Sequence, residues 1–247
     1  MKAMILAAGL GTRLRPLTND RPKALVSIGE YTLLEFAMRR LAQAGIREFV
    51  INVHHFGEQI IEFCQQERFA AFTIQISDER SQLLDTGGGI LAASSWLNDS
   101  DPFLVYNADI LSDLDLMAMR AAHLENGAIA TLAVRRRSTS RYLRFTSAGK
   151  LCGWENRKTG AVRWCGQPQE DFQALAFSGI HWISPRIFDY FPKEQSVFSI
   201  IDVYLSLCDQ ERVQGFDHSD GRWEDAGKLD SLERAKVLAP QIPIYAR

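Results

Sequence analysis

An apolar run from Ala3 to Ala8 empties directly into Gly9-Leu10-Gly11-Thr12-Arg13-Leu14-Arg15-Pro16, and Lys23 follows Pro22 a few residues later. This stretch restricts the chain more than any other. A short buried strand that ends in glycines begins an α/β unit. Glycines tolerate positive φ and let backbone N–H groups approach an anion, while guanidinium and ammonium groups supply the charge. Gly-X-Gly alone is common wherever a parallel strand ends. The crowding of Arg13, Arg15 and Lys23 behind it makes an anion cradle the better reading.

The rest of the chain continues the strand and helix alternation. Thr32 followed by Glu35 reads as a capping box, and Leu33, Leu34, Ala37, Met38 and Leu41 recur at helical spacing until Gly45. Strands are expected at Glu48 to Val53, Phe72 to Ile76, Pro102 to Asn107 and Ala128 to Val134, with helices between them. This is the pattern of a mostly parallel sheet. Gly87-Gly88-Gly89 reads as a loop leading into a helix from about Ile90 to Trp96. After Val134 the texture changes to glycines and short alternating runs, such as Tyr142 to Phe145 and Lys150 to Trp154, which predict β-hairpins. Phe172 to Ile183 returns as a core strand, Val197 to Leu207 as a helix and Arg212 to His218 as a last strand. Trp223 to Gly227 is read as a loop, and Leu229 to Leu238 as the closing helix. The fold expected is a single α/β domain over 1–247, with a first half ending near 134 and a β-rich insert after it.

A net charge of −2 argues against a general nucleic-acid or membrane surface, so any anionic ligand must be held by local cations. The Ala3 to Ala8 run is too short for a signal segment or membrane span, and a cytoplasmic location is expected. Cys64, Cys152, Cys165 and Cys208 are widely spaced, with no metal-binding spacing, and read as buried free thiols without disulfides or zinc. His54-His55 reads as a helix cap or rim rather than a metal pair, because adjacent residues on a strand face opposite ways.

Two aspartates, Asp109 and Asp225, fall just past expected strands, where ligands of open α/β sheets bind. Two carboxylates with phosphate oxygens and water suit a Mg²⁺ ion. Each aspartate alone would be an ordinary turn or cap residue. Together with the cradle they gain weight.

Gly9 to Thr18 with Pro22-Lys23, then Asn107-Ala108-Asp109, Phe177-Ser178-Gly179-Ile180 and Trp223-Glu224-Asp225-Ala226-Gly227, in that order, resemble the signatures of the sugar-1-phosphate nucleotidylyltransferases. The resemblance implies a Rossmann-like, mixed but mostly parallel sheet flanked by helices, with the β-rich insert on the sugar side. It implies that Leu6, Ala7, Ala8 and Gly9 line the base and ribose. Gly11, Thr12 and Arg13 would hold the triphosphate, and Lys23 the phosphates near the reacting centre. Gly88 would lie against the nucleoside, Asn107 would help position the nucleotide, and Ser178 and Gly179 would face the sugar. Asp109 and Asp225 would bind Mg²⁺, with Arg13, Lys23 and Asp109 carrying catalysis. Expected partners are a nucleoside triphosphate, UTP or GTP first, and a sugar 1-phosphate, with no nucleic acid and no membrane.

The chain departs from that pattern. Ala24 replaces the second proline of Pro-Lys-Pro, and Ala108 stands where glycine is common. Where larger relatives carry Glu-Lys-Pro with a lysine for the sugar phosphate, this chain reads Glu155-Asn156-Arg157, and Arg141 is the expected substitute. Rival readings are a catalytically silent nucleotide-sugar sensor on the same fold and a cytidylyltransferase for phosphocholine. The latter would want an aromatic cage that the sequence does not display.

Overall fold

The computed structural model describes residues 1–99 and 101–245. Within them one ten-stranded sheet runs in the order Ala161–Trp164, Leu151–Asn156, Arg141–Phe145, Gln173–Ile183, Phe103–Asn107, Lys2–Leu6, Glu48–Val53, Thr73–Asp78. Ala130–Arg135 joins it beside Gln173–Ile183, with Val213–Asp217 on its outer side. The four strands from Phe103–Asn107 to Thr73–Asp78 are mutually parallel, and Gln173–Ile183 packs antiparallel against Phe103–Asn107. The sheet is therefore mixed, and the half from Phe103–Asn107 to Thr73–Asp78 is parallel, as the alternation of strand and helix predicted.

Period-two alternation divides the side chains of the central strands between the two faces. Met4, Val50 and Val105 belong to one apolar layer, and Ala3, Ile5, Phe49, Ile51, Leu104 and Tyr106 to the other. Helix Leu33–Gln43 covers the second layer with Leu34, Ala37, Met38 and Leu41. It starts where its capping residue says it should, with the Glu35 N–H donating to Thr32 Oγ1 at 3.2 Å.

Three sequence expectations fail, each for a packing reason. Gly87, Gly88 and Gly89 are not a loop; they form the body of helix Asp85–Ala92. Side chains on the first two would strike the 196–198 segment: a Cβ on Gly87 would lie 2.5 Å from the Phe198 ring, and one on Gly88 would overlap the Ser196 carbonyl oxygen, whereas one on Gly89 would lie 2.7 Å from Glu79 Oε1. The Gly87 and Gly88 N–H groups both donate to the Phe198 carbonyl, at 2.9 and 3.2 Å. The glycines thus let a helix sit against a passing backbone. Gly88→Ala gains the helix propensity of alanine, about 1 kcal/mol, but must displace that backbone, and overpacking of this kind costs about 1–3 kcal/mol. The expected outcome is a lower denaturant midpoint with an unchanged slope, read in urea.

Trp223–Asp225 is also not a loop. It is a short strand paired antiparallel with Ile110–Ser112. Finally, Cys165 and Cys208 are disulfide-bonded, with Cα atoms 5.8 Å apart, tying the hairpin edge to the end of helix Ile200–Leu207. Cys64 and Cys152 are buried free thiols as expected. No described helix is long and apolar enough to cross a membrane.

Candidate active site

The parallel register brings the carboxyl ends of three strands level, with Leu6 beside Asn52 on one side and Asn107 on the other. Beyond these ends lies a cleft of about 510 Å³, lined by Leu6, Ala7, Ala8, Gly9, Lys23, Asn107 and Asp109 among others. Seven residues singled out from the sequence thus share one cavity. The cleft also uses residues that the sequence did not reveal. Asn52 Oδ1 accepts the N–H groups of Ala7 (2.6 Å) and Ala8 (3.3 Å) and so fixes the strand-to-loop turn. Asn52 Nδ2 in turn donates to Glu79 Oε1 at 2.7 Å, and Glu79 Oε2 accepts the Leu84 N–H at 3.2 Å. Burial pushes the Glu79 carboxyl above its ordinary range, against the opposing pull of Asn52 and the Leu84 N–H. This buried bridge locks the signature loop to the 79–86 wall of the cleft. Its only sequence signal is an asparagine in an otherwise apolar strand.

At the cleft's polar end, Gly11 adopts φ 66°, a conformation that favours glycine, and its carbonyl accepts from Thr18 Oγ1 at 2.8 Å. That turn sends Arg13 back across the fold. Lys23, at the start of a 3₁₀ turn after Pro22, forms an ion pair with Asp109, and both side chains are largely covered. Asp225 reaches the same place because Ile110 pairs with Asp225 across the short ladder and the Ala226 N–H donates to the Asp109 carbonyl at 2.9 Å. A Cβ built on Gly227 would lie 2.6 Å from Asp225 Oδ1, 2.8 Å from Arg13 Nη2 and 3.1 Å from Lys23 Nζ. The two cations and the second carboxylate therefore converge on one glycine. Burial first, and the Asp109 carboxylate second, hold Asp225 above the usual carboxylate range, while its Oδ1 accepts the Gly227 N–H at 2.8 Å.

The other expected residues are placed differently. Gly88 lies against the 196–198 backbone with its N–H spent there, and Asp85 and Thr86 are the residues of its segment that line the cleft. Gly179, expected to face the sugar, lies against Asn107: at φ 76° a Cβ on it would come within 2.8 Å of Asn107 Nδ2. Ser178 is fully buried, and its Oγ shares a 2.7 Å hydrogen bond with His218 Nε2. Its carbonyl accepts from Trp223 Nε1 at 3.0 Å. The hydroxyl is thus held by His218, and the carbonyl braces the Trp223 strand. Arg141 is exposed at the head of its strand, opposite Asn156. Thr12 begins the 3₁₀ turn that carries Arg13.

A nucleotidyl transferase family model matches residues 2–241. The chain belongs to that family. An N-acetylmuramate α-1-phosphate uridylyltransferase of Caulobacter vibrioides is 35% identical to this transferase over 91% of either chain. One from Neisseria meningitidis serogroup B is 33% identical over 97% of this chain and 98% of that one. Among solved structures, HddC from Yersinia pseudotuberculosis superposes with a TM-score of 0.77 at 20% identity, covering 96% of this chain and 98% of its own. UTP-bound UGPase from Acinetobacter baumannii superposes at 0.76 and 18% identity, covering 96% and 92%. At these identities the transferase shares the fold with them.

Proposed function

We propose that this transferase moves a nucleoside monophosphate from a nucleoside triphosphate to a sugar 1-phosphate, releasing pyrophosphate. The observation that carries the reading is the convergence of Arg13, Lys23 and Asp225 on Gly227, with Asp109 paired to Lys23, at one end of the cleft that Leu6 to Gly9 line. Leu6, Ala7, Ala8 and Gly9 take the nucleoside side of that cleft; Gly11, Thr12, Arg13 and Lys23 take the triphosphate. Asn107 and Gly179, in contact, form the start of the sugar side, with Arg141 and the braced Ser178 beyond it.

The acceptor phosphate is already an anion, so no protein base or covalent intermediate is required. A phosphate oxygen of the sugar 1-phosphate bonds to the α-phosphorus as the bond to the bridging oxygen of pyrophosphate breaks, and pyrophosphate leaves with that electron pair. Arg13 and Lys23 neutralise charge on the triphosphate and align it, which is where catalysis of phosphoryl-type transfer resides. Asp109 and Asp225 supply adjacent hard oxygen donors whose mutual repulsion a divalent cation relieves, and this donor set fits Mg²⁺. When bound, that ion supplies charge neutralisation and polarises the phosphates.

The similarity to N-acetylmuramate α-1-phosphate uridylyltransferases over nearly the whole chain favours UTP and N-acetylmuramate 1-phosphate as the first pair. The test is a grid of UTP, GTP, CTP and dTTP with Mg²⁺ against N-acetylmuramate, mannose and glucose 1-phosphates, following pyrophosphate release. Turnover with one pair well above the rest is expected. Silence across the grid, with nucleotide still bound, would favour the sensor reading.

A further inference from the structure

The Arg135-Arg136-Arg137 run divides by strand alternation. Arg136 turns outward to Asp217, 3.3 Å away. Arg135 and Arg137 emerge on the other side, their guanidinium carbons 5.7 and 4.6 Å from the centre of the Trp223 indole. Arg135 spends Nη2 on the carbonyls of Ser219 and Gly221, at 3.3 and 3.2 Å. Arg137 makes one hydrogen bond, from Nη2 to the Phe177 carbonyl at 3.0 Å, and its buried Nε has no partner. Among the described residues no carboxylate lies within ion-pair distance of it, and the carboxylate that bears most on its charge is Asp225.

Both of its contacts point to the reacting centre. Phe177 lies two residues before Gly179, the glycine packed on Asn107, and Trp223 lies two residues before Asp225 in the same short strand. A guanidinium cannot shed its charge and carries five donors in a fork that fits phosphate oxygens. A half-buried one with most donors unspent is equipped to take an anion from outside the chain. Arg13 and Lys23 approach Gly227 from the signature loop; Arg137 approaches Asp225 from the sugar half. We propose that Arg137 binds the phosphate of the incoming sugar 1-phosphate and does the work that a lysine at Asn156 would otherwise do. The inference rests on the transferase reading above. It selects Arg137 over Arg141, whose side chain is exposed at a strand head.

The experiment is steady-state kinetics on Arg137→Met and Arg137→Lys, using the nucleotide and sugar 1-phosphate pair with the fastest wild-type turnover in the grid. Losing a charge-assisted hydrogen bond should raise KM for the sugar phosphate about tenfold or more, with KM for the nucleotide within about twofold. The lysine variant should recover part of the loss, and Arg136→Ala should behave as wild type. Should the methionine variant fail to fold in a thermal melt, the lysine variant carries the comparison, since it keeps charge and stem and loses the fork. An unchanged KM for sugar phosphate, equal rises in both KM values, or an effect confined to Arg141→Ala would overturn the assignment. Absence of wild-type turnover with every pair would overturn the transferase reading, and this inference with it.

Discussion

We expect Asp109→Asn and Asp225→Asn each to turn over about a thousandfold more slowly than the wild type while remaining folded. The size follows from their role: stabilisation of transition-state charge by a metal is worth several kcal/mol, and each 1.36 kcal/mol is about tenfold in rate. The fold should survive because the Asp225 charge does not support it, while Asp109→Asn gives up the partner of the covered Lys23 and should melt somewhat lower. Asp225 is buried, faces Asp109, and is held above the usual carboxylate range by both causes. An amide keeps the oxygen that accepts the Gly227 N–H and removes the repulsion. In the absence of divalent cation, Asp225→Asn should melt at or above the wild-type temperature. Added Mg²⁺ should raise the wild-type melting point through preferential binding to the native state and raise the variant's less. Pyrophosphate release and thermal melts check both statements. Wild-type turnover in either variant sinks the metal assignment.

The parts of this site that sequence made legible are those whose chemistry is local. The Leu6 to Arg13 run, Asn107 and Asp109 follow their strands directly, and strand ends are where a parallel sheet gathers its ligands. The N-cap at Thr32 is likewise read from four residues, although the Glu35 carboxylate of the expected capping box is taken by Arg39 and Arg68 instead. What escaped was set by partners far along the chain. Gly87 to Gly89 look like a flexible loop until the 196–198 backbone is laid across them. Trp223 to Asp225 become a strand only because Ile110 to Ser112 offer an edge, and Cys165 meets Cys208 across 43 residues with no motif to announce it. Asn52 and Glu79, separated by 27 residues, act as one bridge. Ser178 kept its place in the expected order, but its hydroxyl is held by His218 and its carbonyl by Trp223, partners 40 and 45 residues away that no local pattern announces. Composition after Val134 carried least, since the register of its hairpin strands is fixed by partners that no short window contains.

Gly227 condenses the difference between holding the fold and holding the reaction. A methyl group there meets no apolar core; it meets Asp225 Oδ1, Arg13 Nη2 and Lys23 Nζ, all within 3.1 Å. Each is the far end of a flexible side chain and can withdraw, so Gly227→Ala should cost little stability. Withdrawal, however, moves Arg13, the lysine paired with Asp109 and Asp225 at the same time, the groups proposed above to hold the triphosphate and the metal. A misplacement of about 1 Å in such groups costs about a hundredfold in rate. Gly227→Ala is therefore expected to melt within a few degrees of wild type with kcat/KM about a hundred times lower. The loss should fall mainly on kcat, because the nucleoside half of the cleft, from Leu6 to Gly9, is untouched. If the variant retains wild-type kcat/KM, the three groups do not act together at this point. If it loses fold and activity in parallel, Gly227 serves packing rather than the reacting centre.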